Sequence, residues 1–457
     1  MASVANIFNL DFNRALLKRG GGGGELKLLD FVFSQKERII FAFIVLTAVF
    51  AILNHRISTS AGTVAFVLLL ALYAKRLKSV YCNPIGVACL LYVGYIGLAI
   101  LWSDNYYSGW REFRFSIPWL ILPLLILYFN ESKPFDKWTL IAVLAGFQLA
   151  VLATFFMRLG IIEPYKIAAG LDTGANMQYF PGLHYGRLAP LIEISALIAL
   201  FLSARAFINK RKLACAYCVG WFVLSVIVMF ALPSRTTYVS FTCAFFASCA
   251  LIFFQTLNVR FAYKILYSAL GAIVLTASIV VLAYNLSSSV ERRLENTNDD
   301  METMINNNYR GSIGARVAMW RLGIAVLSKR PFFGAGTGAQ KNLGDVLYEE
   351  RKDLIYPLDP IVGEDRKMSV HLHNQFVETL ARHGIVGMTL LLAMFFAIIR
   401  EAFAVGAFAK MFCGALLIEL LIQSIPGSTL VDFSRIITFV LLFACVITIK
   451  PQWKDQK

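Results

Sequence analysis

Twelve apolar stretches of about 17 to 25 residues recur along this chain and constrain its fold more than any other feature. A helix of that length crosses the roughly 30 Å of hydrocarbon in a bilayer and satisfies its own backbone hydrogen bonds there. The stretches lack the alternation of polarity that a membrane β-barrel needs. The pattern therefore predicts an all-α polytopic membrane protein with about 12 transmembrane helices. The predicted spans are 38–54, 59–75, 81–101, 115–130, 138–157, 188–208, 213–233, 237–257, 263–284, 380–400, 410–425 and 433–449.

The composition agrees with a membrane protein, because 58% of the 457 residues are hydrophobic and only 16% are charged. A soluble chain of this length needs more polar surface. The net charge of +15 would suggest a nucleic-acid partner in a soluble protein. In a membrane protein the same excess is expected from cytoplasmic loops and from anionic lipid. We therefore expect contact with membrane lipid and no nucleic-acid partner.

Lysine and arginine residues indicate the orientation, because they follow the even-numbered spans and also fill the N-terminal tail. Cytoplasmic loops carry such an excess. Both termini are therefore expected in the cytoplasm, with the long segments 158–187 and 285–379 on the opposite, periplasmic side. The basic residues after the spans are Lys75, Arg76, Lys78, Lys133, Lys137, Lys210, Arg211, Lys212, Arg260, Lys264, Arg400, Lys410, Lys450, Lys454 and Lys457.

The segment between spans 9 and 10 is too long to be a structureless loop. Its residues 311–330 carry apolar side chains at helical spacing before Pro331, which predicts an amphipathic helix near the membrane surface. Residues 332–340 predict a glycine-rich turn. The expected division is a cytoplasmic tail (1–37), helices 1–9 (38–284), a large, partly helical periplasmic loop (285–379), helices 10–12 (380–449) and a second cytoplasmic tail (450–457).

Arginine is unexpected in short periplasmic segments, yet several arginines lie at the predicted outer boundary. The planar guanidinium binds phosphate through two hydrogen bonds at once. Converging arginines would therefore form a pocket for a pyrophosphate at the membrane surface. The alternative is that each side chain extends to a lipid headgroup. These residues are Arg111, Arg114, Arg187, Arg235, Arg316 and Arg435.

Three histidines, His371, His373 and His383, lie close together in sequence at the outer start of span 10. A metal site is one hypothesis. Their spacing disfavours it, because His371 and His373 would point apart on a helix and His383 lies nearly three turns further on. The other hypothesis is a single imidazole that acts as a general base, since a neutral histidine can accept a proton from a hydroxyl near neutral pH.

Carboxylates also occur within predicted spans. Glu193 lies in span 6, and Glu419 lies with Gln423 in span 11. Carboxylates inside a membrane are costly and usually paired or functional. They would either pair with the outer arginines or form the proton path of a transporter.

The sequence of the histidine region resembles a known family. His373 and Asn374, followed by nine residues and then Gly384 and Gly387, match the pattern H-[NSQ]-x9-G-x-x-G of the O-antigen ligase family and its relatives. Those relatives are the O-antigen polymerases and the bacterial O-linked oligosaccharyltransferases. The run from Arg316 through Trp320 to PFFGAGTG and the Ser-Arg-Thr around Arg235 also look like the family.

The resemblance implies an O-antigen ligase of lipopolysaccharide biosynthesis in the bacterial inner membrane, with its active site facing the periplasm. Such an enzyme moves a glycan from undecaprenyl pyrophosphate to a sugar hydroxyl of lipid A-core. By analogy His373 is the general base, while Arg235 and Arg316 bind the pyrophosphate. Arg187 is added from its position after PGLHYG, and Asn374 would orient or cap the start of span 10. The glycines of the motif, Gly384 and Gly387, would allow close helix packing.

We expect a metal-independent enzyme, because arginines can neutralise the leaving pyrophosphate. A single displacement would invert the anomeric centre. We also expect a monomer that needs no cofactor. Two alternatives within the same superfamily keep the donor and change the acceptor: an O-antigen polymerase and a protein O-oligosaccharyltransferase. A third, of another class, is a transporter of lipid or sugar. Glu193 and Glu419 are its best support, and the arginines and histidines at one boundary are its main difficulty.

Overall fold

The computed structural model describes most of the predicted membrane region and part of the large loop. The described residues are 35–132, 135–162, 178–180, 183–232, 234–257, 260–286, 297, 301–302, 312–339, 371–427, 430 and 433–448. The tail 450–457 and nearly all of the tail 1–37 lie outside this set. The proposed division of the chain therefore stays a prediction.

Helices lie over all twelve predicted spans, which confirms the helical character of the fold. They are α1 (Gln35–Leu53), α2 (His55–Leu72), α3 (Leu77–Tyr81), α4 (Pro84–Leu98), α5 (Tyr106–Ser116), α6 (Pro118–Glu131), α7 (Phe135–Arg158), α8 (Tyr185–Ile208), α9 (Lys212–Ala231), α10 (Arg235–Thr256), α11 (Phe261–Leu286), α12 (Ser312–Lys329), α13 (Gln375–Val405), α14 (Ala407–Ser424) and α15 (Phe433–Thr448).

Fewer helices meet a strict length and apolarity criterion for a membrane span. Seven do so within the described part of the chain, and eight if the pair Arg56–Leu72 and Ala74–Tyr81, bent by 68°, counts as one broken span. The apolar helices α4 and Arg435–Thr448 are shorter. A polytopic membrane protein is thus supported, while the number twelve stays a prediction.

One feature departs from the all-α prediction. Strand β1 (Gln178–Phe180) pairs antiparallel with β2 (Leu183–His184), and Gln178 lies opposite His184. Strands of three and two residues are too short to carry an alternating pattern that sequence analysis can recognise. The hairpin directly precedes α8, at the end of the segment between spans 5 and 6.

Asparagine side chains begin four of the helices. Each accepts a backbone N–H from the first turn, which satisfies a donor that has no partner within the helix. Asn83 also precedes Pro84, and proline at the first helical position needs no N–H partner. The capping residues are Asn54, Asn83, Asn105 and Asn374.

Two helices form the centre of the bundle. In α15, Val440, Leu442 and Phe443 are fully buried, and α15 contacts α1, α2, α6, α7, α13 and α14. In α8, Leu188 and Ile194 are likewise fully buried. Both helices are therefore enclosed by their neighbours over most of their length, although α8 is exposed at its end around Phe207.

The large loop contains a helix where one was predicted, whereas its position near the membrane surface stays a prediction. Helix α12 ends at Lys329, before Pro331, and closely matches the prediction of 311–330. Helix α13 begins at Gln375, whereas the span was predicted to begin at 380, because its first turn is polar and did not register as part of an apolar run. A small second core joins α12 to α13 and consists of Met319, Leu322, Val326, Ala335, Ala339, Leu372 and Ala381.

Candidate active site

The helix that follows the histidine motif is broken at Gly384. Its φ of 64° and ψ of −166° interrupt α13 and leave backbone groups on both sides of the break without helical partners. Beyond the break, the Ile385 N–H donates to the Pro331 carbonyl at 2.8 Å, and the Val386 N–H donates to the Phe332 carbonyl at 3.2 Å. The turn after α12 therefore satisfies the donors that the break exposes.

The backbone carbonyls that precede the break in α13 accept hydrogen bonds from the same turn after α12. The Ala381 carbonyl accepts the Ala335 N–H at 2.9 Å, and the Arg382 carbonyl accepts the Gly336 N–H at 2.9 Å. Residues 331–339, which we call the glycine loop, thus exchange four backbone hydrogen bonds with the broken turn of α13. Neither segment satisfies its buried backbone groups without the other.

Glycine is required on both sides of this contact. A Cβ on Gly384 would collide with the Phe332 backbone, and its φ lies in the left-handed region that glycine favours. Gly338 also has a positive φ of 75°, and a Cβ there would collide with the backbone of Gly109 in α5. The loop can therefore lie against α13 and α5 at backbone distance.

A buried carboxylate fixes the segment that contains the histidines. Glu378, in the first turn of α13, accepts the Leu372 N–H at 2.6 Å. It also forms an ion pair with Arg382, one turn further along the helix. The Nδ1 atom of His371 lies 3.5 Å from the same carboxylate. Glu378 therefore holds the backbone on the N-terminal side of His373.

Arg382 connects this carboxylate to a second one. The Nη1 atom of Arg382 lies 3.4 Å from Glu112 Oε1 in α5 and donates to the Ala339 carbonyl at 3.0 Å. Glu112 in turn accepts the Gly338 N–H at 3.0 Å. A buried guanidinium between two carboxylates is neutralised and hydrogen-bonded, which such a group needs in order to be stable away from water.

His373 is exposed and lies at the end of this fixed segment. Its φ of 51° places it in the left-handed region, and its carbonyl accepts the Trp320 Nε1–H of α12 at 3.4 Å. Partial burial, together with the positive charge of Arg316, lowers the pKa of His373 below its ordinary value. The imidazole is therefore neutral at neutral pH, as a general base requires.

Asn374 begins α13, and Gly387 provides space for its neighbours. The Asn374 side chain accepts the N–H groups of Phe376 and Val377 at 3.0 and 3.1 Å and thereby begins α13. A Cβ on Gly387 would collide with the His383 side chain and would lie 3.1 Å from the Tyr95 ring of α4. A small residue at this position therefore makes room first for the buried His383 and then for the approach of α4.

The three histidines have separate surroundings. His371 contacts Glu378, whereas the Nε2 atom of the buried His383 lies 2.9 Å from Thr337 Oγ1. His373 is exposed beside Arg316. In the part of the chain that the structure describes, no group of three His, Cys, Asp or Glu residues is arranged to hold a metal. The expectation that the enzyme works without a metal stays a prediction.

The structure leaves two of the predicted phosphate ligands undecided. Arg187 lies in the first turn of α8 and Arg235 is the first residue of α10, but their side chains fall outside the described set. Arg316, on α12, lies close enough to His373 to act on its charge. A common pocket for all three arginines therefore stays a prediction.

A cavity lies behind the histidine segment, between α4, α5, α13 and the glycine loop. Its empty space is about 440 Å³, including the solvent at its mouth, and Glu112, Glu378 and Arg382 line it. The buried Nε1–H of Trp119 and Nδ1 of His383 line the same cavity without a protein hydrogen-bond partner. These groups suit ordered water, which commonly fills small polar cavities.

The predicted intramembrane carboxylates form a second buried cluster. Glu193 accepts hydrogen bonds from Ser240 Oγ at 2.7 Å and from Gln423 Nε2 at 2.9 Å. Glu419 is fully buried nearby, and Arg435 interacts electrostatically with both carboxylates. Both carboxylate oxygens of Glu419 lack a hydrogen-bond partner among the described residues. Arg435 therefore acts on these carboxylates through its charge, and the choice between pairing with an arginine and a proton path stays open.

Sequence reasoning missed the ion pairs of Glu112, Arg382 and Glu378. The spacing of Glu378 and Arg382, four residues apart on a helix, was a usable signal. The role of Glu112 had no local signal, because it reaches Arg382 only through the packing of α5 against the glycine loop.

Comparison with known proteins supports one family. The family model described as O-antigen ligase matches residues 220–392, which contain Arg235, Arg316 and His373. A curated relative, the O-antigen ligase of Escherichia coli (strain K12), is 26% identical over 175 residues. That match spans 38% of this chain and 38% of the relative.

We predict that the pKa of His373 lies below the ordinary value of about 6.5 and rises in Arg316→Gln, because loss of a positive charge favours the imidazolium form. The rate of carbethoxylation of His373 by diethyl pyrocarbonate, followed by mass spectrometry from pH 5 to 8, reports the neutral fraction. Arg321→Gln, on the same helix, is the matched control and should leave the midpoint unchanged. Equal midpoints in all three proteins would contradict the prediction.

We also predict that Gly384→Ala loosens the glycine loop, because alanine adds left-handed strain and a collision with Phe332. Amide hydrogen exchange in residues 331–339 should accelerate at least tenfold. Gly414→Ala, where a Cβ meets no atom within 4 Å, is the control. Unchanged exchange in Gly384→Ala would show that the collision is accommodated elsewhere.

Proposed function

We propose that this chain, which belongs to the O-antigen ligase family, transfers a glycan from undecaprenyl pyrophosphate to a sugar hydroxyl of lipid A-core. The family implies a ligase of the glycosyltransferase type. The identities of the donor and the acceptor are what we add to it as a proposal. The observation that carries it is the exposed imidazole of His373, whose backbone is fixed by Glu378 and Trp320 and whose pKa is lowered by partial burial and by the positive charge of Arg316.

The reaction is a single displacement. The acceptor hydroxyl oxygen attacks the anomeric carbon of the glycan while the imidazole of His373 takes the hydroxyl proton. The bond between the anomeric carbon and the pyrophosphate oxygen breaks, and its electron pair leaves with undecaprenyl pyrophosphate. One displacement inverts the anomeric centre. The proton then passes from His373 to solvent, to which the side chain is exposed.

Arginines neutralise the leaving group in this proposal. Arg316, whose charge acts on His373, would bind the pyrophosphate, and Arg235 and Arg187 would complete the site from the first turns of α10 and α8. Fixed positive charge at the departing oxygen stabilises the negative charge that develops there in the transition state. No divalent metal is required for that task, so the proposed reaction is metal-independent.

The surrounding structure serves to hold the base in place. Glu378 fixes the backbone before His373, and Asn374 caps the helix after it while orienting this turn beside the substrate. Trp320 donates to the His373 carbonyl. A base held within a fraction of an ångström of its working position loses little freedom during reaction, which is a large part of enzymatic rate enhancement.

The proposed placement follows the charge distribution of the sequence. The site faces the periplasm, and both termini lie in the cytoplasm. A separate part of the proposal is that the chain works as a monomer in the inner membrane. Family membership favours glycosyl transfer over transport. The buried Glu193 is compatible with this choice, because Ser240 and Gln423 hydrogen-bond to it as they would to a structural group.

We predict that His373→Ala abolishes transfer, measured with purified lipid-linked glycan and rough lipopolysaccharide in the presence of a chelator. Loss of a general base typically costs a factor of about 10² to 10⁴. His55→Ala, at the start of α2 and outside the motif, is the control, and size-exclusion profiles verify folding. Transfer at the wild-type rate would remove His373 from the mechanism. Activity that is lost in chelator and restored by a divalent ion would contradict the metal-free reaction.

We predict that Arg235→Gln and Arg316→Gln each raise the KM for the donor at least tenfold, because a charge-assisted hydrogen bond to phosphate is lost. The KM for the acceptor should stay within twofold of wild type. Arg321→Gln is the control on α12. An unchanged donor KM in both variants would exclude these residues from the pyrophosphate site.

A further inference from the structure

The helix α5 has an exposed face with an unusual composition. Tyr107, Trp110, Arg111 and Arg114 are spaced at intervals of three and four residues and therefore form one stripe. Tyr107 is 77% exposed and Trp110 59% exposed, and both arginines are exposed. Among the described residues, neither Arg111 nor Arg114 has a hydrogen-bond or ion-pair partner. The stripe thus presents two aromatic rings and two unneutralised cations.

The opposite face of α5 belongs to the proposed active site. Ser108 and Gly109 are buried, and Gly109 lies against the backbone of Gly338 in the glycine loop. Glu112 accepts the Gly338 N–H and lies beside Arg382. A molecule bound along the exposed stripe would therefore lie one helix width from the glycine loop.

The stripe also lies at the end of an apolar helix. Residues Tyr106–Glu131, which comprise α5 and α6, together qualify as a single candidate membrane span. Arg114 is nearest to the apolar part, Trp110 and Arg111 follow, and Tyr107 is furthest away. If this span crosses the bilayer, the cations lie at the boundary of the hydrocarbon and the aromatic rings lie beyond them.

This order fits an amphiphile with a phosphorylated saccharide head. Two guanidinium groups three residues apart on one helix face can bind one phosphate. The flat C–H face of a sugar ring packs against the electron-rich face of an aromatic ring.

We propose that the α5 stripe binds the lipid acceptor, with a headgroup phosphate on Arg111 and Arg114 and the inner sugars on Trp110 and Tyr107. The inference rests on the proposed function and adds to it the position of the second substrate. Transfer between two lipids needs two sites, and Arg316 beside His373 is assigned to the pyrophosphate of the donor. The α5 stripe supplies a separate cationic site on the other side of the glycine loop.

Binding of the acceptor without donor tests the stripe independently of transfer. The protein in nanodiscs of neutral lipid is titrated with rough lipopolysaccharide before and after removal of its phosphates by hydrofluoric acid. Arg111→Gln/Arg114→Gln should bind the phosphorylated form about tenfold more weakly, a loss of about 1.4 kcal/mol. It should bind the dephosphorylated form as wild type does. Arg56→Gln, an exposed arginine at the start of α2, is the matched control.

Equal binding by wild type and the double variant would overturn the inference, as would equal weakening for both forms of the acceptor. The transfer assay then separates the two substrates. The double variant should raise the acceptor KM about tenfold and leave the donor KM unchanged. A raised donor KM with an unchanged acceptor KM would assign the stripe to the donor and overturn the proposal. Absence of transfer by wild type would refute the proposed function alone, because the binding result stands without donor.

Discussion

The exchange of backbone hydrogen bonds between the glycine loop and the broken turn of α13 is the interaction on which the candidate site depends. Helix α13 would leave buried N–H and C=O groups unsatisfied at Gly384, and the glycine loop would do the same at Ala335 and Gly336. Each segment therefore specifies the conformation of the other. The segment with His373 precedes this junction by less than three helical turns and takes its position from it.

Electrostatics within the site follows from the same packing. The close approach of α5 to the glycine loop places Glu112 against Arg382, and Arg382 then holds Glu378. The ion pair with Arg382 offsets the cost of burying the Glu378 carboxylate, which accepts the Leu372 N–H from this buried position. A buried charge without a partner costs several kcal/mol in proteins. Removal of Arg382 would therefore leave both carboxylates without their shared cation, whereas removal of Glu112 would leave the pair of Arg382 and Glu378 in place.

The sequence predicted the parts of this site that have a local signature. Apolar spacing before Pro331 predicted α12 closely, and the family pattern identified His373, Asn374 and Gly384. The first turn of α13 was missed because Gln375 and Glu378 are polar, although they are buried by contacts that lie outside α13. The charges on α5 could not be assigned to the site for a similar reason, since residues distant in sequence meet only when the helices pack.

Thr337 shows that the glycine loop is anchored to the membrane bundle. Its N–H donates to the Ala99 carbonyl, and its hydroxyl donates to the Ile96 carbonyl at the end of α4. The glycine loop therefore takes its conformation from helix ends that belong to the bundle. A soluble fragment that contained residues 331–339 without α4 and α13 would lack the groups that shape this loop. Antibodies or inhibitors selected against such a fragment would therefore bind a different conformation of the loop from the one in the intact protein.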